Sequence, residues 1–343
     1  MIAKRLLALA AVSMLALSAC SSQSAPSDDN CAAEENFCIG MVTDLGKVDD
    51  KSFNQSAWEG AQAAATETNG FAKYIETTST NDYAANIAQF TDKNYDVIIT
   101  VGFLMAEATV TAAQANPDTK FIGVDQGQGD TIDNLTGLVF PEDQAGYAAG
   151  FLAGLMTKTN KVGQVLGMEI PPVQKFALGF EAGAKAANPA VETTKIYHPA
   201  ADNAFTDPEW GASEAAKQLA QGYDVIFGAG GKTGNGALGE IAKNAGAGTT
   251  VFCIGVDSDQ WGTVPEAHSC LMTSAMKLIT AGVTDLVKAA KDGTIAGGNF
   301  LGKTGLAEYH DFATVIPQDV QDQVANVVAG LADGSIQTGV SLG

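Results

Sequence analysis

The chain contains one pattern twice. Tyr95-Asp96-Val97-Ile98 opens a stretch that closes on Ile122-Gly123-Val124-Asp125, and Tyr223-Asp224-Val225-Ile226 opens another that closes on Ile254-Gly255-Val256-Asp257. Each copy reads as a short apolar strand, a glycine-containing turn, an amphipathic helix (105–115 and 236–245) and a second apolar strand ending on aspartate. Short strands that are apolar throughout are those buried on both faces of a parallel sheet, so each copy is a βαβ unit. A further strand precedes each copy, at 39–43 and 162–166, followed by its own helix. The pattern predicts an α/β fold of two Rossmann-like lobes with parallel sheets. With 343 residues, 46% of them hydrophobic and 17% charged, the chain is large enough for two cores and too apolar for disorder.

The amino terminus carries a different signal. Lys4 and Arg5 precede an apolar run from Leu6 to Leu17, followed by Ser18, Ala19 and Cys20. The run is shorter than the about 20 residues that a membrane-spanning helix needs, and it reads as a secretory signal. Leu17-Ser18-Ala19-Cys20 resembles the lipobox of bacterial lipoproteins, in which the cysteine is lipidated and becomes the first residue. Residues 1–19 are therefore expected to be a signal peptide and Cys20 a lipidation site. Residues 20–37 are small and polar, without periodicity, and are expected to be a flexible tether. The expected location is outside the cytoplasm, anchored to the cell membrane and facing the exterior or the periplasm.

Charge narrows the partners. The chain has 39 acidic and 19 basic residues, a net charge of −20; without Lys4 and Arg5, 17 basic residues face the same 39 acids, a net −22. Nothing in such a chain attracts a phosphate backbone, and nucleic acid is excluded as a partner. Beyond Cys20, four cysteines remain, which in an exported protein allow two disulfides in three connectivities. The local pairing, Cys31 with Cys38 and Cys253 with Cys270, is favoured over four free thiols. No cysteine or histidine has the spacing of a metal site, so neither metal nor cofactor is expected.

In open parallel sheets a ligand binds beyond the carboxyl ends of the strands. Asp44, Asp125 and Asp257 all end strands. Any one of them could simply cap the next helix; three of them facing one cleft point instead to polar ligand contacts. Gly234-Asn235-Gly236-Ala237-Leu238-Gly239 matches the G-x-G-x-x-G pattern, with Asp257 closing the next strand, which is the composition of a dinucleotide site. An exported protein meets no nicotinamide pool, however, and the strand concerned opens neither the chain nor a lobe. Gly231-Lys232-Thr233 is not a P-loop either, since the leading glycine would fall at Ile226. No G-x-S-x-G elbow, H-E-x-x-H pair or cysteine with a nearby histidine is present, and Asp49-Asp50 reads as a solvated or capping pair in a turn. The chain reads as a binder, not an enzyme.

Four segments give this reading a family. They are Thr43-Asp44-Leu45-Gly46 continuing to Asp50-Lys51-Ser52-Phe53-Asn54-Gln55; Ala145-Gly146-Tyr147-Ala148-Ala149-Gly150 with Gly167-Met168-Glu169-Ile170-Pro171-Pro172; Phe205-Thr206-Asp207-Pro208; and Gly255-Val256-Asp257-Ser258-Asp259-Gln260. Together they resemble the basic membrane protein family, substrate-binding lipoproteins of ABC transporters whose characterised members bind purine nucleosides. The resemblance covers residues 38–343. It implies a periplasmic-binding-protein fold of type I, with lobe 1 formed by 38–143 plus about 274–300 and lobe 2 by 144–273 plus about 301–343.

Carried over residue by residue, the resemblance makes Phe53 and Phe205 the two plates that stack on the base. Asp125 and Asn54 would bond the base edge, while Asp257, Lys277 and Gly231, completed by Asp44, would hold the sugar. Lys277 alone would otherwise read as a surface helix lysine. Two departures from the family stand out. Gly46 is followed by Lys47 and Val48 where relatives have a second glycine, and Glu209-Trp210 is unusual, so that Trp210 could replace or supplement Phe205 in stacking. The expected function is capture of a nucleoside, purine in the first place, by a monomer that hands it to an ABC permease. The alternatives are a binder of another ring-bearing metabolite, a secreted enzyme using a dinucleotide at Gly234–Gly239 with Asp257, and an adhesin or antigen without transport duty.

Overall fold

The computed structural model describes residues 25–200 and 202–342. Cys20 and the signal segment lie outside the described residues. The first lobe opens with β1 (Cys38–Thr43), α1 (Phe53–Thr68), β2 (Phe71–Ile75), α2 (Tyr83–Thr91), β3 (Val97–Val101), α3 (Ala106–Ala115), β4 (Lys120–Val124) and β5 (Leu135–Val139). The second continues through α4 (Glu142–Met156), β6 (Lys161–Leu166), α5 (Pro171–Ala187), β7 (Glu192–Thr193), β8 (Ile196–Tyr197), α6 (Pro208–Ala220), β9 (Val225–Ala229), α7 (Gly231–Ala242), β10 (Phe252–Asp257), α8 (Gln260–Thr263) and β11 (Leu271–Lys277). The chain then returns to the first lobe as α9 (Ile279–Lys291) and β12 (Gly298–Leu301), and ends in the second as β13 (Thr304–Leu306) and α10 (Gln318–Asp333).

Among the described residues the first sheet has six strands in the order β12-β5-β4-β3-β1-β2, all parallel. The second has seven, in the order β13-β11-β10-β9-β6-β7 with β8 also on β6, and only β13 runs antiparallel. Alternating side chains explain why the strands are apolar throughout. Ile39 and Met41 of β1 pack with Ala57 of α1 and Val283 of α9, whereas Val42 joins Phe90, Ile98 and Phe121 on the opposite face.

In the second lobe α4 and α5 pack with almost no side chains between them. A Cβ on Gly146, Gly150 or Gly154 would lie 2.3, 1.9 or 2.5 Å from a carbonyl oxygen of Phe176, Phe180 or Ala184, and Gly179 and Gly183 meet α4 in the same way. Glycine at four-residue spacing is what lets the backbones approach this closely.

Three expectations need correction. The return to the first lobe falls after Lys277, not at about 274, because Leu271–Lys277 is one strand of the second sheet. The helix expected at 236–245 runs Gly231–Ala242, so the six residues of the glycine fingerprint sit inside it rather than in a loop before it. Residues 25–37 are not a free tether. Cys31 is disulfide-bonded to Cys38, the first residue of β1. Asp28 meets Lys73 (2.8 Å), Lys93 (2.6 Å) and the Tyr95 hydroxyl (2.8 Å), and the two lysines hold its carboxyl well below the usual carboxylate range. Composition alone does not reveal that a polar segment has long-range partners. In the second lobe Cys253 is bonded to Cys270.

Candidate functional site

The carboxyl ends of both sheets face one cleft, with about 640 Å³ of space between its walls, part of it open to solvent. Asp44, Phe53, Asn54, Asp125, Phe205, Gly231, Asp257 and Lys277 all line it. Its apolar wall adds Phe103 from the first lobe and Ile170, Pro172, Val173 and Phe176 from the second.

Asp125 and Asp257 end β4 and β10 with left-handed backbones, φ 61° and 64°, a conformation that aspartate tolerates better than most residues. It turns each carboxylate off the strand and into the cleft. Lys277, the last residue of β11, reaches between them: its Nζ lies 2.6 Å from Asp125 Oδ2 and 3.6 Å from Asp257 Oδ1. It is 4% exposed and belongs to a strand, not to a surface helix. Burial works against its charge, but Asp125, Asp257 and Glu142 outweigh it and raise its pKa. Asp257 also accepts from the Ser52 hydroxyl at 2.9 Å, and burial pushes its carboxyl up. The ammonium stands 4.6 Å from the ring centre of Phe53, within cation–π range.

Asp125, assigned by resemblance to the base edge, shares Lys277 with Asp257, assigned to the sugar. Asp44, assigned to the sugar ring, already accepts from the Tyr83 hydroxyl and from the amides of Leu45 (2.7 Å) and Leu104 (3.3 Å). Burial raises its pKa. Its position at the end of β1 is backed by Gly102, where a Cβ would come within 2.3 Å of the Asp44 carboxylate.

Asn54, in the first turn of α1, is held by Asp50. Of the two readings of Asp50, solvated or capping, the structure shows capping: it is buried, and its carboxylate accepts from the amides of Ser52, Asn54 and Gln55 and from Asn54 Nδ2 at 3.0 Å. Burial lifts it to about 6 despite these donors. With Nδ2 spent on Asp50, Asn54 Oδ1 is left as the free end of the amide. Asn54 Oδ1 and Asp125 Oδ1 are both buried without a partner. Unmet buried acceptors are costly, and an occupant of the cleft that donates hydrogen bonds relieves both.

Phe205 lies on Gly167, where a Cβ would come within 2.4 Å of its ring, and its carbonyl accepts from the Lys232 amide. Trp210 does not line the cleft; it packs edge-on against His198, 4.5 Å away, on the outer side of the sheet. Gly231, at φ 55°, begins α7 beside Phe205. The glycines that follow it serve helix packing: a Cβ on Gly236 would come within 2.1 Å of the Pro208 carbonyl in α6, and one on Gly234 within 3.1 Å of Gly228. They form no phosphate cradle.

The lobes are closed on each other. The Lys51 carbonyl, in a left-handed turn before α1, accepts from Thr263 Oγ1 at 2.9 Å and from Ser258 Oγ and Gln260 Nε2 at 3.4 Å. Asn235 Nδ2 donates to the Asp50 carbonyl and Lys232 pairs with Asp49 at 2.6 Å. Among the described residues no cluster of histidine, cysteine or acidic side chains could hold a metal ion, and no helix is long and apolar enough to cross a membrane.

Comparison with known proteins places this cleft in context. Residues 37–306 match the model of a family described as PnrA-like ABC transporter substrate-binding proteins. The chain is 35% identical to the CD4+ T-cell-stimulating antigen of Listeria monocytogenes over 97% of its own length and 98% of that protein. It is 31% identical, again over 97% and 98%, to the ABC transporter nucleoside-binding protein BmpA of Lactococcus lactis. Among solved structures, a solute-binding protein of an ABC transporter system from Aeropyrum pernix superposes with a TM-score of 0.79, covering 88% of this chain and 92% of that one at 24% identity, which speaks to the fold.

Proposed function

The chain belongs to the PnrA-like substrate-binding proteins of ABC transporters, and from that premise we propose that it captures a nucleoside, a purine nucleoside in the first place, and hands it to a membrane permease. It is a transport component and not an enzyme. The observation that carries the nucleoside reading is that one cleft joins two chemistries. Phe53 and Phe205 come from opposite lobes to an apolar wall suited to a planar base, where stacking is worth about 1–3 kcal/mol per base. Beside Phe53, Lys277 is already matched by Asp125 and Asp257, leaving carboxylate oxygens to accept from a sugar diol. A phosphate would face those carboxylates with no unpaired cation to meet it, so nucleosides are favoured over nucleotides. The Lactococcus lactis relative, a nucleoside-binding protein by name, supports the same reading.

The protein is exported, with Cys20 lipidated and the lobes opening and closing about the three crossings between them. Heat-denaturing the purified protein and weighing the released small molecules is the direct test, followed by calorimetric titration with guanosine, inosine, adenosine, uridine and their monophosphates. Release of a purine nucleoside, with binding of nucleosides and not of monophosphates, is the expected result. Tight binding of a monophosphate removes the carboxylate argument.

A further inference from the structure

Glu142 is a buried carboxylate that neither the family resemblance nor the cavity lining brings forward. Its side chain is 2% exposed, and its ion pair is with Lys175 of α5 at 3.2 Å, a lysine that is itself 37% exposed. Glu142 stands in the first turn of α4, directly after Pro141, where the chain first crosses into the second lobe. Lys277 stands at the second crossing, and at the third Thr304 Oγ1 donates to the Pro141 carbonyl at 3.4 Å. Asp125 lies on the other side of these crossings, at the end of β4 in the first lobe. The ion pair of Asp125 with Lys277 therefore joins the lobes beside the start of α4: Lys277 Nζ lies 5.6 Å from the ring centres of Phe140, two residues before Glu142, and of Phe176, next to Lys175. At this junction the carboxylates of Asp125, Asp257 and Glu142 meet two cations, Lys277 and Lys175, which leaves one negative charge in excess.

We propose that Glu142 is a positioning residue of the cleft that takes up a proton as the lobes close, so that ligand and proton are captured together. The inference rests on the reading of the cleft as a closing nucleoside site. Burial and the neighbouring Asp125 push Glu142 up to about 7, against the pull of Lys277 and Lys175. Lys277 faces it from β11, Lys175 from α5 and Asp125 from β4, and Asp257 on β10 acts through Lys277. Opening moves Asp125 away and admits water, and both changes return the group toward the ordinary glutamate range. The sign follows from linkage. A carboxyl whose pKa is higher in the closed state favours closure most at low pH; that advantage is lost as pH rises from the ordinary range through about 7, and beyond that this group adds no further slope.

The experiment compares wild type with Glu142→Gln, a neutral isostere of the protonated acid. Guanosine and inosine are titrated from pH 5.5 to 8.5, and in parallel the distance between spin labels on the two lobes is measured without nucleoside. Across this range wild type is expected to lose about tenfold more affinity than Glu142→Gln, the equivalent of one pKa unit. Asp50 and Asp257 also titrate, and their contribution remains in both proteins, so the difference between the two profiles belongs to Glu142. Lys175→Met, which removes a cation that holds Glu142 down, should move the wild-type midpoint to higher pH. Parallel profiles for wild type and Glu142→Gln overturn the proposal. If no nucleoside binds at any pH, the functional reading fails instead, and the labels still decide. A closed population that shrinks with pH in wild type and not in Glu142→Gln supports the proton site, and equal behaviour refutes it.

Discussion

Asp125 and Asp257 end equivalent strands of the two lobes with nearly the same backbone conformation, yet their carboxylates do different work. Asp125 Oδ2 lies 2.6 Å from Lys277 and its Oδ1 is buried without a partner; Asp257 stands 3.6 Å from the same ammonium and accepts from the Ser52 hydroxyl at 2.9 Å. Asp125 belongs to the first lobe and is met by a residue of the second, whereas Asp257 belongs to the second and is met by residues of both. A repeated βαβ unit thus delivers two carboxylates to one place, and the opposite lobe decides what each is free to do. The lobe that supplies the closer ion pair keeps the vacant acceptor.

Lys277 is the hinge of that comparison and its replacement should have the largest effect. Removing one partner of a buried ionic group costs about 3–5 kcal/mol because the remaining charges stay buried. Lys277→Met is expected to lower the melting temperature and to weaken nucleoside binding by more than about a hundredfold, about 2.7 kcal/mol. Calorimetry and thermal unfolding read both. The variant should also erase the inequality between the aspartates, since without the ammonium Asp125 loses the contact that distinguishes it. Retention of wild-type affinity would mean that Lys277 only offsets the carboxylates and takes no part in the site.

With Lys277 in place, Asp125→Asn and Asp257→Asn should separate. A hydrogen bond to a charged group contributes about 1.5–3 kcal/mol, and each variant is expected to lose binding on that scale. Asp125→Asn is the worse of the two, because it gives up the 2.6 Å ion pair together with the free acceptor. Asp257→Asn keeps an oxygen for Ser52. Equal losses in titration would show that the two strand ends are interchangeable, and a larger loss for Asp257 would reverse the assignment of the vacant acceptor.

How much of this could be read along the chain follows from what each residue depends on. The duplicated Ile-Gly-Val-Asp endings announce two parallel-sheet lobes because a buried strand must be apolar on both faces, a property local to a few residues. The carboxyl-end rule and the family segments then lead to eight residues that the structure brings to one cleft. The protein partners that engage them were not legible. Asp44 is engaged by Tyr83 and Leu104, and Asp125 by Lys277, partners far away in sequence whose choice depends on how strands are ordered across a sheet and how two lobes meet. Asp50 was legible as a capping residue but not as a buried one, because its burial depends on the docking of that turn on Asn235 and Thr263. The strand-end rule could have found Phe103, which stands two residues beyond β3. Glu142 and Phe176 gave no local signal, because their position depends on the glycine-lined contact of α4 with α5.

The two aromatic plates offer the finest test of the same asymmetry. Phe53, in the first turn of α1, has Lys277 Nζ 4.6 Å from its ring centre, so its face is held by the ionic cluster even before a base arrives. Phe205 lies instead on Gly167 and beside Gly231, and among the described residues no cation stands over its ring. Replacing either with leucine keeps an apolar side chain and removes the flat π face, so each should cost up to the about 1–3 kcal/mol of a base–aromatic stack. Phe53→Leu should cost more, by about 0.5–1 kcal/mol, since the cation–π contact that positions Lys277 goes with the ring. It should also make the response to Asp125→Asn smaller than in wild type, because the ammonium is then less firmly placed. A double-mutant cycle in nucleoside titration measures that coupling: a non-zero value for Phe53 with Asp125 and none for Phe205 with Asp125 is expected, and equal coupling would mean that the plates are alike and the asymmetry ends at the carboxylates.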